Sequence, residues 1–196
     1  MTASQGIDRE GRCRVVLAED SPTEAACLEF LLVKNGYDVV VAQEGEAALR
    51  FAREAHADLV ISDVVMPRMD GYALCRAAKA DATIAEVPVM LLTGLSDPAS
   101  VLRGLVSGAD DFLLKPYDES LLLSRITSLL GSPDGSSGAD GATGLTVVFR
   151  GETFALDFRA RRRAHILLAT YDPTDSRYAG LSEVRECLRV AEAGID

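Results

Sequence analysis

The chain has 196 residues, 48% of them hydrophobic and only 6% aromatic, which is room for one domain of about 100–150 residues plus an appendage. Its formal net charge of −10 excludes a general nucleic-acid surface, which needs clustered positive charge. The excess acid all lies before Leu145, and the remainder is neutral, with 8 basic and 8 acidic residues.

The four cysteines, Cys13, Cys27, Cys75 and Cys187, are far apart in sequence and have no histidine at ligand spacing. That pattern indicates neither a zinc site nor a disulfide framework, so reduced thiols are expected. No N-terminal stretch has the form of a signal peptide, and no apolar run reaches the roughly 18 residues of a membrane span. A soluble, cytoplasmic protein with no membrane partner is the expectation.

Along the chain, Cys13 to Ala18 reads as a buried strand running into Glu19-Asp20-Ser21-Pro22. Ser21 followed by proline is a helix start, an N-cap with proline at the first helical position. The helix carries Ala25, Leu28 and Leu32 on one face and stops at Asn35-Gly36. Tyr37 to Ala42 is the second strand and Glu44 to Ala55 the second helix. Asp58 to Ser62 is the third strand, which delivers Asp63 into a loop punctuated by Pro67 and Gly71. A helix over Gly71 to Ala80 follows, then a strand over Pro88 to Thr93. Ser96-Asp97-Pro98 opens a fourth helix that ends at Ser107-Gly108. Asp111 to Leu114 is a short fifth strand, and after Lys115-Pro116 a fifth helix runs from about Asp118 to Leu130.

This alternation predicts an α/β fold with a doubly wound five-stranded parallel sheet of order 2-1-3-4-5, flavodoxin-like. The stretch from Gly131 to Gly144 is nearly all Gly, Ser, Ala, Asp and Pro and reads as a linker. Beyond it, Leu145 to Phe149 and Thr153 to Phe158 flank Arg150-Gly151-Glu152, the pattern of a β-hairpin with a three-residue turn. Helices over Arg159 to Tyr171 and Leu181 to Ala193 follow, separated by a turn-rich piece from Asp172 to Gly180. The predicted organisation is a domain over 12–130, a flexible linker over 131–144, and a hairpin-and-helix interaction segment over 145–196. Arg159, Arg161, Arg162 and Arg163 are opposed by equal acid nearby and read as a solvated helix start, which argues against nucleic acid. His165 has no acidic neighbour in sequence and reads as an ordinary surface or half-buried histidine.

In a doubly wound sheet the ends of strands one, three, four and five converge, bringing together Glu19, Asp20, Asp63, Thr93 and Lys115. Three carboxylates alone repel one another, but a divalent cation among them reverses that, and an oxygen-only set suits Mg²⁺ or Mn²⁺. Asp63 can then attack phosphorus as a carboxylate nucleophile and form an aspartyl phosphate. The cation and Lys115 neutralise charge on the phosphoryl oxygens, and Thr93 donates a hydrogen bond to one of them. Taken singly, each residue has a plainer reading. An acidic pair before a helix is favourable charge at its N-terminus, and a strand-terminal aspartate is a turn former. It is the joint occurrence that points to chemistry.

Glu19-Asp20, Asp63 with Met66-Pro67-Arg68-Met69-Asp70-Gly71, Thr93, and Lys115-Pro116 together resemble the receiver domain of bacterial two-component response regulators, over about Cys13 to Leu130. The resemblance implies that Asp63 is the phosphoacceptor, that Asp20 binds the metal directly and Glu19 through water, and that the main-chain carbonyl of Val65 is a further ligand. It implies Thr93 as the switch hydroxyl, Lys115 as the phosphoryl-binding cation, Phe112 as the switch aromatic, and a cis bond at Lys115-Pro116. The implied partner is a histidine kinase or phosphotransfer protein. Self-phosphorylation and slow autodephosphorylation are the only activities implied, with output through a protein–protein or homodimer surface.

Gly94 stands where this family more often has alanine, which predicts a more mobile loop. Val65 and Leu95, two residues beyond Asp63 and Thr93, are apolar and cannot orient an attacking water, which predicts slow loss of the phosphoryl group. The run from Val147 to Asp157 with the helix around Ile166 to Tyr171 is loosely similar to the hinge after receivers in receiver-first sensor kinases. That likeness makes a fragment of such a hybrid kinase the alternative reading. A small Mg²⁺-dependent phosphatase is a further alternative, for which the sequence offers no substrate-handling residues beyond the receiver set.

Overall fold

The structure is a computed structural model, and it describes residues 11–94, 97–131, 145–170 and 179–193. The predicted linker after Gly131, which itself ends a helix, lies outside the described residues, as do Leu95, Ser96 and the greater part of the Asp172 to Gly180 piece. By internal contacts the chain divides into two compact units: one runs up to Thr93 and resumes from Ala109 to Gly135, and the other takes Gly94 to Gly108 together with everything from Ser136.

The first unit holds the parallel sheet. Its strands are β1 (Arg14–Ala18), β2 (Asp38–Ala42), β3 (Leu59–Asp63), β4 (Val89–Thr93) and β5 (Asp111–Leu114), in the predicted order β2-β1-β3-β4-β5. Every pairing is parallel. The helices of this unit are α1 (Pro22–Lys34), α2 (Gly45–Glu54), α3 (Gly71–Ala80) and α5 (Glu119–Gly131). Ser21 caps α1, its hydroxyl accepting from the Glu24 N–H with Pro22 at the first helical position, and Asn35 closes the helix. Asp70 caps α3 by accepting from the Ala73 N–H at 2.7 Å.

Alternation along the strands sorts the core. Val15, Leu17, Leu59, Ile61, Met90, Leu92 and Leu113 gather with Leu28 and Leu32 of α1 and Leu122 and Ile126 of α5 in one buried cluster. Val16, Val60, Leu91 and Phe112, at the intervening positions, face the other way and are also buried. A sheet buried on both faces accounts for strands that read as continuous apolar runs.

The second unit consists of α4 (Pro98–Val106), capped by Asp97, with β6 (Leu145–Phe149), β7 (Glu152–Leu156), α6 (Phe158–Thr170) and α7 (Ala179–Ala193). The hairpin is tighter than its sequence suggests. Phe149 pairs with Glu152, so the loop is the two residues Arg150 and Gly151 rather than three, and both have positive φ, 49° and 83°. Those angles match the primed turns that follow strand twist. β7 also ends earlier than predicted, because Asp157 turns to cap α6 by accepting from the Ala160 N–H at 2.6 Å. His165 does have an acidic partner, but one distant in sequence: its Nε2 lies 3.1 Å from Glu192 Oε1 across the α6–α7 pair. The same carboxylate oxygen accepts from Arg161 Nε at 2.8 Å, so that arginine is held within the unit.

Candidate functional site

Register fixes the site. Ala18 lies beside Ser62 in the β1–β3 pair, Asp63 beside Leu92, and Thr93 beside Leu114. The residues that follow each strand therefore emerge at one edge of the sheet, the carboxyl edge where open α/β folds place ligands. Glu19, Asp63 and Thr93 are buried there, while Asp20 is exposed. All of the predicted polar side chains except Asp20 are thus partly or wholly withdrawn from water.

Lys115 ties the group together. Its Nζ donates to Asp63 Oδ1 at 2.7 Å, to Glu24 Oε2 at 2.7 Å and more weakly to Glu19 Oε2 at 3.4 Å. Its own N–H donates to the Thr93 carbonyl at 2.8 Å, and the Lys115-Pro116 bond is cis, in line with the resemblance. Burial works against the ammonium charge, but the bonds to Asp63 and Glu24 and the charges of Asp63 and Glu19 outweigh it and hold its pKa above the ordinary lysine range. Glu19 is pushed the other way for a carboxylate: burial raises its pKa, against the lowering effect of Lys115 and of the Ser21 N–H, with Asp63 and Glu24 adding to the rise.

The second oxygen of Asp63, Oδ2, accepts from the Val65 N–H at 2.8 Å, so both carboxylate oxygens have fixed partners. The Val65 side chain is 61% exposed, as an apolar residue over an open site should be if it borders the approach to Asp63. Beneath Asp63 the backbone is packed against Gly71: a Cβ built on Gly71 would lie 2.4 Å from the Asp63 carbonyl oxygen and 3.0 Å from Val64 Cα. Glycine is demanded there by proximity, and its N–H donates to the Val64 carbonyl at 2.9 Å.

Oxygen atoms of Glu19, Asp20 and Asp63 all lie within 4.8 Å of one another. An octahedral Mg²⁺ with ligands at 2.0–2.1 Å spans about 4 Å across its shell, so small side-chain adjustments bring the three into one sphere. The charge balance also fits, since Lys115 offsets only part of the negative charge of these residues and Glu24. Phe112 is buried in β5, 5% exposed, paired with Leu91. Two residues escape reasoning from sequence. Glu24 sits at the fourth place of Ser21-Pro22-Thr23-Glu24, the pattern of a helix capping box, yet its carboxylate reaches Lys115 instead. Tyr117 is half-buried beside the site, and burial, opposed by Lys115 and reinforced by Glu19, Glu24 and Asp63, pushes its phenol up to about 12.

Comparison with known proteins decides the family. Residues 15–127 match the model of the response regulator receiver domain. The chain belongs to the response regulator receiver family. As a receiver it has a place in two-component phosphorelay signalling. It is 39% identical over 116 residues to the response regulator PleD of Caulobacter vibrioides, an overlap of 59% of this chain and 26% of PleD. It is 37% identical over 119 residues to the DNA-binding response regulator MtrA of Mycolicibacterium smegmatis, covering 61% of this chain and 51% of MtrA. The receiver thus spans only a quarter to a half of the length of these relatives.

Among solved structures, the receiver domain of a signal transduction histidine kinase from Syntrophus aciditrophicus is 43% identical with a TM-score of 0.59, covering 67% of this chain and 97% of that one. The receiver domain of a Pseudomonas aeruginosa sensor histidine kinase, with a magnesium ion coordinated in its active site cleft, is 28% identical with a TM-score of 0.59, covering 62% and 99%. No helix among the described residues of this receiver is long and apolar enough to cross a membrane.

Proposed function

We propose that Asp63 is the phosphoacceptor of this receiver, taking a phosphoryl group from a histidine kinase or phosphotransfer protein. The observation that carries the reading is the Lys115 ammonium held 2.7 Å from Asp63 Oδ1 at the carboxyl edge of the sheet. A phosphoryl group formed on that carboxylate arrives next to a fixed positive charge, which stabilises the developing oxyanions without reorganisation. Lys115 stays protonated through the physiological range because its carboxylate partners outweigh its burial. Thr93, buried at the end of the neighbouring strand, is the hydroxyl placed to bond a phosphoryl oxygen and to carry the change into β4. Phe112, buried on β5, is the aromatic that answers it.

Glu19, Asp20, Asp63 and the Val65 carbonyl are the residues that would hold Mg²⁺, with Mn²⁺ as a substitute. The hard oxygen set and the excess of carboxylates over Lys115 support this. Bound there, the cation supplies neutralisation of the phosphoryl charge that Lys115 alone does not complete. In this reading residues 12–130 are the receiver, 131–144 a linker and 145–196 an output segment acting through a protein–protein or dimer surface. Chemistry is confined to the phosphoryl group on Asp63 itself.

Titration calorimetry with Mg²⁺ tests the metal assignment. Wild type binds one equivalent, Asp20→Asn weakens binding at least tenfold, and Glu19→Gln weakens it less, as expected of a ligand acting through water. Equal affinity in wild type and Asp20→Asn would remove Asp20 from the metal site.

A further inference from the structure

An ammonium group has three N–H donors, and three carboxylates stand within reach of the one on Lys115. Asp63 Oδ1 and Glu24 Oε2 each lie 2.7 Å from Nζ, and Glu19 Oε2 lies at 3.4 Å. Local structure explains why Glu24 is among them. Glu24 is the third residue of α1, and its N–H donates to the Ser21 hydroxyl at 3.4 Å, which places it in the first turn. A capping box would return its carboxylate to the Ser21 N–H. That N–H instead donates to Glu19 Oε1 at 3.2 Å, which leaves the Glu24 side chain to reach Lys115. The carboxylates close enough to share a cation are Glu19, Asp20 and Asp63, and Glu24 is set apart from them as a partner of Lys115.

The consequence for Asp63 is electrostatic. Asp63 Oδ1 and Glu24 Oε2 are equally distant from Nζ, so the two oxygens are no farther apart than twice 2.7 Å. An anion arriving on Asp63 therefore comes close to the Glu24 charge, and it meets an ammonium already shared with that carboxylate. Both effects act against the anion. Among the three partners Glu24 gives way most easily. The Glu19 and Asp63 side chains are 2% and 11% exposed, so a carboxylate there that lost its cation would stay buried. The Glu24 side chain is 54% exposed, and water readily replaces Lys115 as its partner.

We infer that Glu24 is a resting-state latch on Lys115: it holds the ammonium while Asp63 is unmodified, opposes the arrival of a phosphoryl anion, and yields to solvent once one is in place. The inference rests on Asp63 being the phosphoacceptor. Glu24 acts through Lys115 and is a positioning residue, not a catalytic one. Its removal therefore strengthens the hold on a phosphoryl anion rather than weakening it.

The test uses the full chain saturated with Mg²⁺, so that changes in metal affinity drop out, and reads the affinity for beryllofluoride, a phosphoryl mimic, by calorimetry. Glu24→Gln is expected to bind the mimic about two- to fivefold tighter than wild type, the scale of an exposed ion pair. The gain shrinks as ionic strength is raised, because exposed charges are screened. Glu29→Gln makes the same charge change at an exposed position of α1 more than a turn beyond Glu24, and it leaves the affinity unchanged. Mere damage to the helix start would weaken binding, so the direction of the change separates the two roles. With wild type binding the mimic, the latch is overturned by unchanged or weaker affinity in Glu24→Gln, by an equal gain in Glu29→Gln, or by a gain indifferent to salt. Failure of wild type to bind the mimic overturns the phosphoacceptor reading instead.

Discussion

At the scale of single residues, the site depends on how closely the backbone approaches itself under Asp63. Gly71→Ala places a methyl group 2.4 Å from the Asp63 carbonyl oxygen, and backbone must move to admit it. Overpacking of this kind costs about 1–3 kcal/mol, and the displaced carboxylate loses Mg²⁺ affinity as well. Gly94 is the control: nothing lies within 4 Å of the place a methyl group would take there, and its φ is not left-handed. Gly94→Ala therefore gains about 0.4–1 kcal/mol by restricting the unfolded chain. Urea unfolding of both variants checks the contrast. Tyr117 gives a prediction in pH. Its folded pKa of about 12 lies above the ordinary 10.0, so its contribution to stability is complete below pH 10 and is lost as pH climbs through about 12. Tyr117→Phe flattens that part of the alkaline unfolding profile; an unaltered profile shows that Tyr117 is not responsible. Val65 borders Asp63 with an exposed apolar side chain, and the phosphorylated half-life is therefore expected to be long; a half-life of seconds in an acid-quenched time course contradicts this. Glu19, Asp20, Asp63, Thr93 and Lys115 are readable from sequence because each stands at the end of a strand in one parallel sheet. Glu24 is hidden because a capping box explains it locally, and Tyr117 because nothing in the residues around it marks it as lying beside the site.

At the scale of elements, turn and cap chemistry set where each strand and helix begins. Asp70 ends the loop that carries Asp63 and starts α3 through its 2.7 Å bond from Ala73. Asp70→Ala is expected to lower stability by about 1 kcal/mol, measured by denaturant midpoint, while leaving the sheet order unchanged; a loss well above about 2 kcal/mol would mean that Asp70 does more than cap. The five strands and their helices follow the sequence pattern closely because apolar runs and capping residues agree. The hairpin turn is harder to read. Arg150 is not a residue that favours positive φ, and its guanidinium lies 5.1 Å over the Phe149 ring, a contact that sequence spacing does not announce. His165 meets Glu192 for a similar reason: the two are on different helices, and only the packing of α6 on α7 pairs them.

At the scale of the whole molecule, the receiver and its C-terminal segment are not divided where composition changes. The Gly/Ser-rich stretch suggests a boundary after Gly131, yet α4, from inside the receiver sequence, belongs to the same compact unit as β6, β7, α6 and α7. Sequence periodicity shows that α4 has an apolar face, but it cannot show that the helix packs with β7, α6 and α7, far along the chain; that is tertiary information. The proposed phosphoryl chemistry depends on Asp63. Incubation with Mg²⁺ and a small phosphodonor such as phosphoramidate, followed by intact mass measurement, should add one phosphoryl group to wild type, removed by mild alkali as an acyl phosphate is. Asp63→Asn should add none. Equal phosphorylation of Asp63→Asn, or a modification stable to alkali, would contradict Asp63 as the phosphoacceptor.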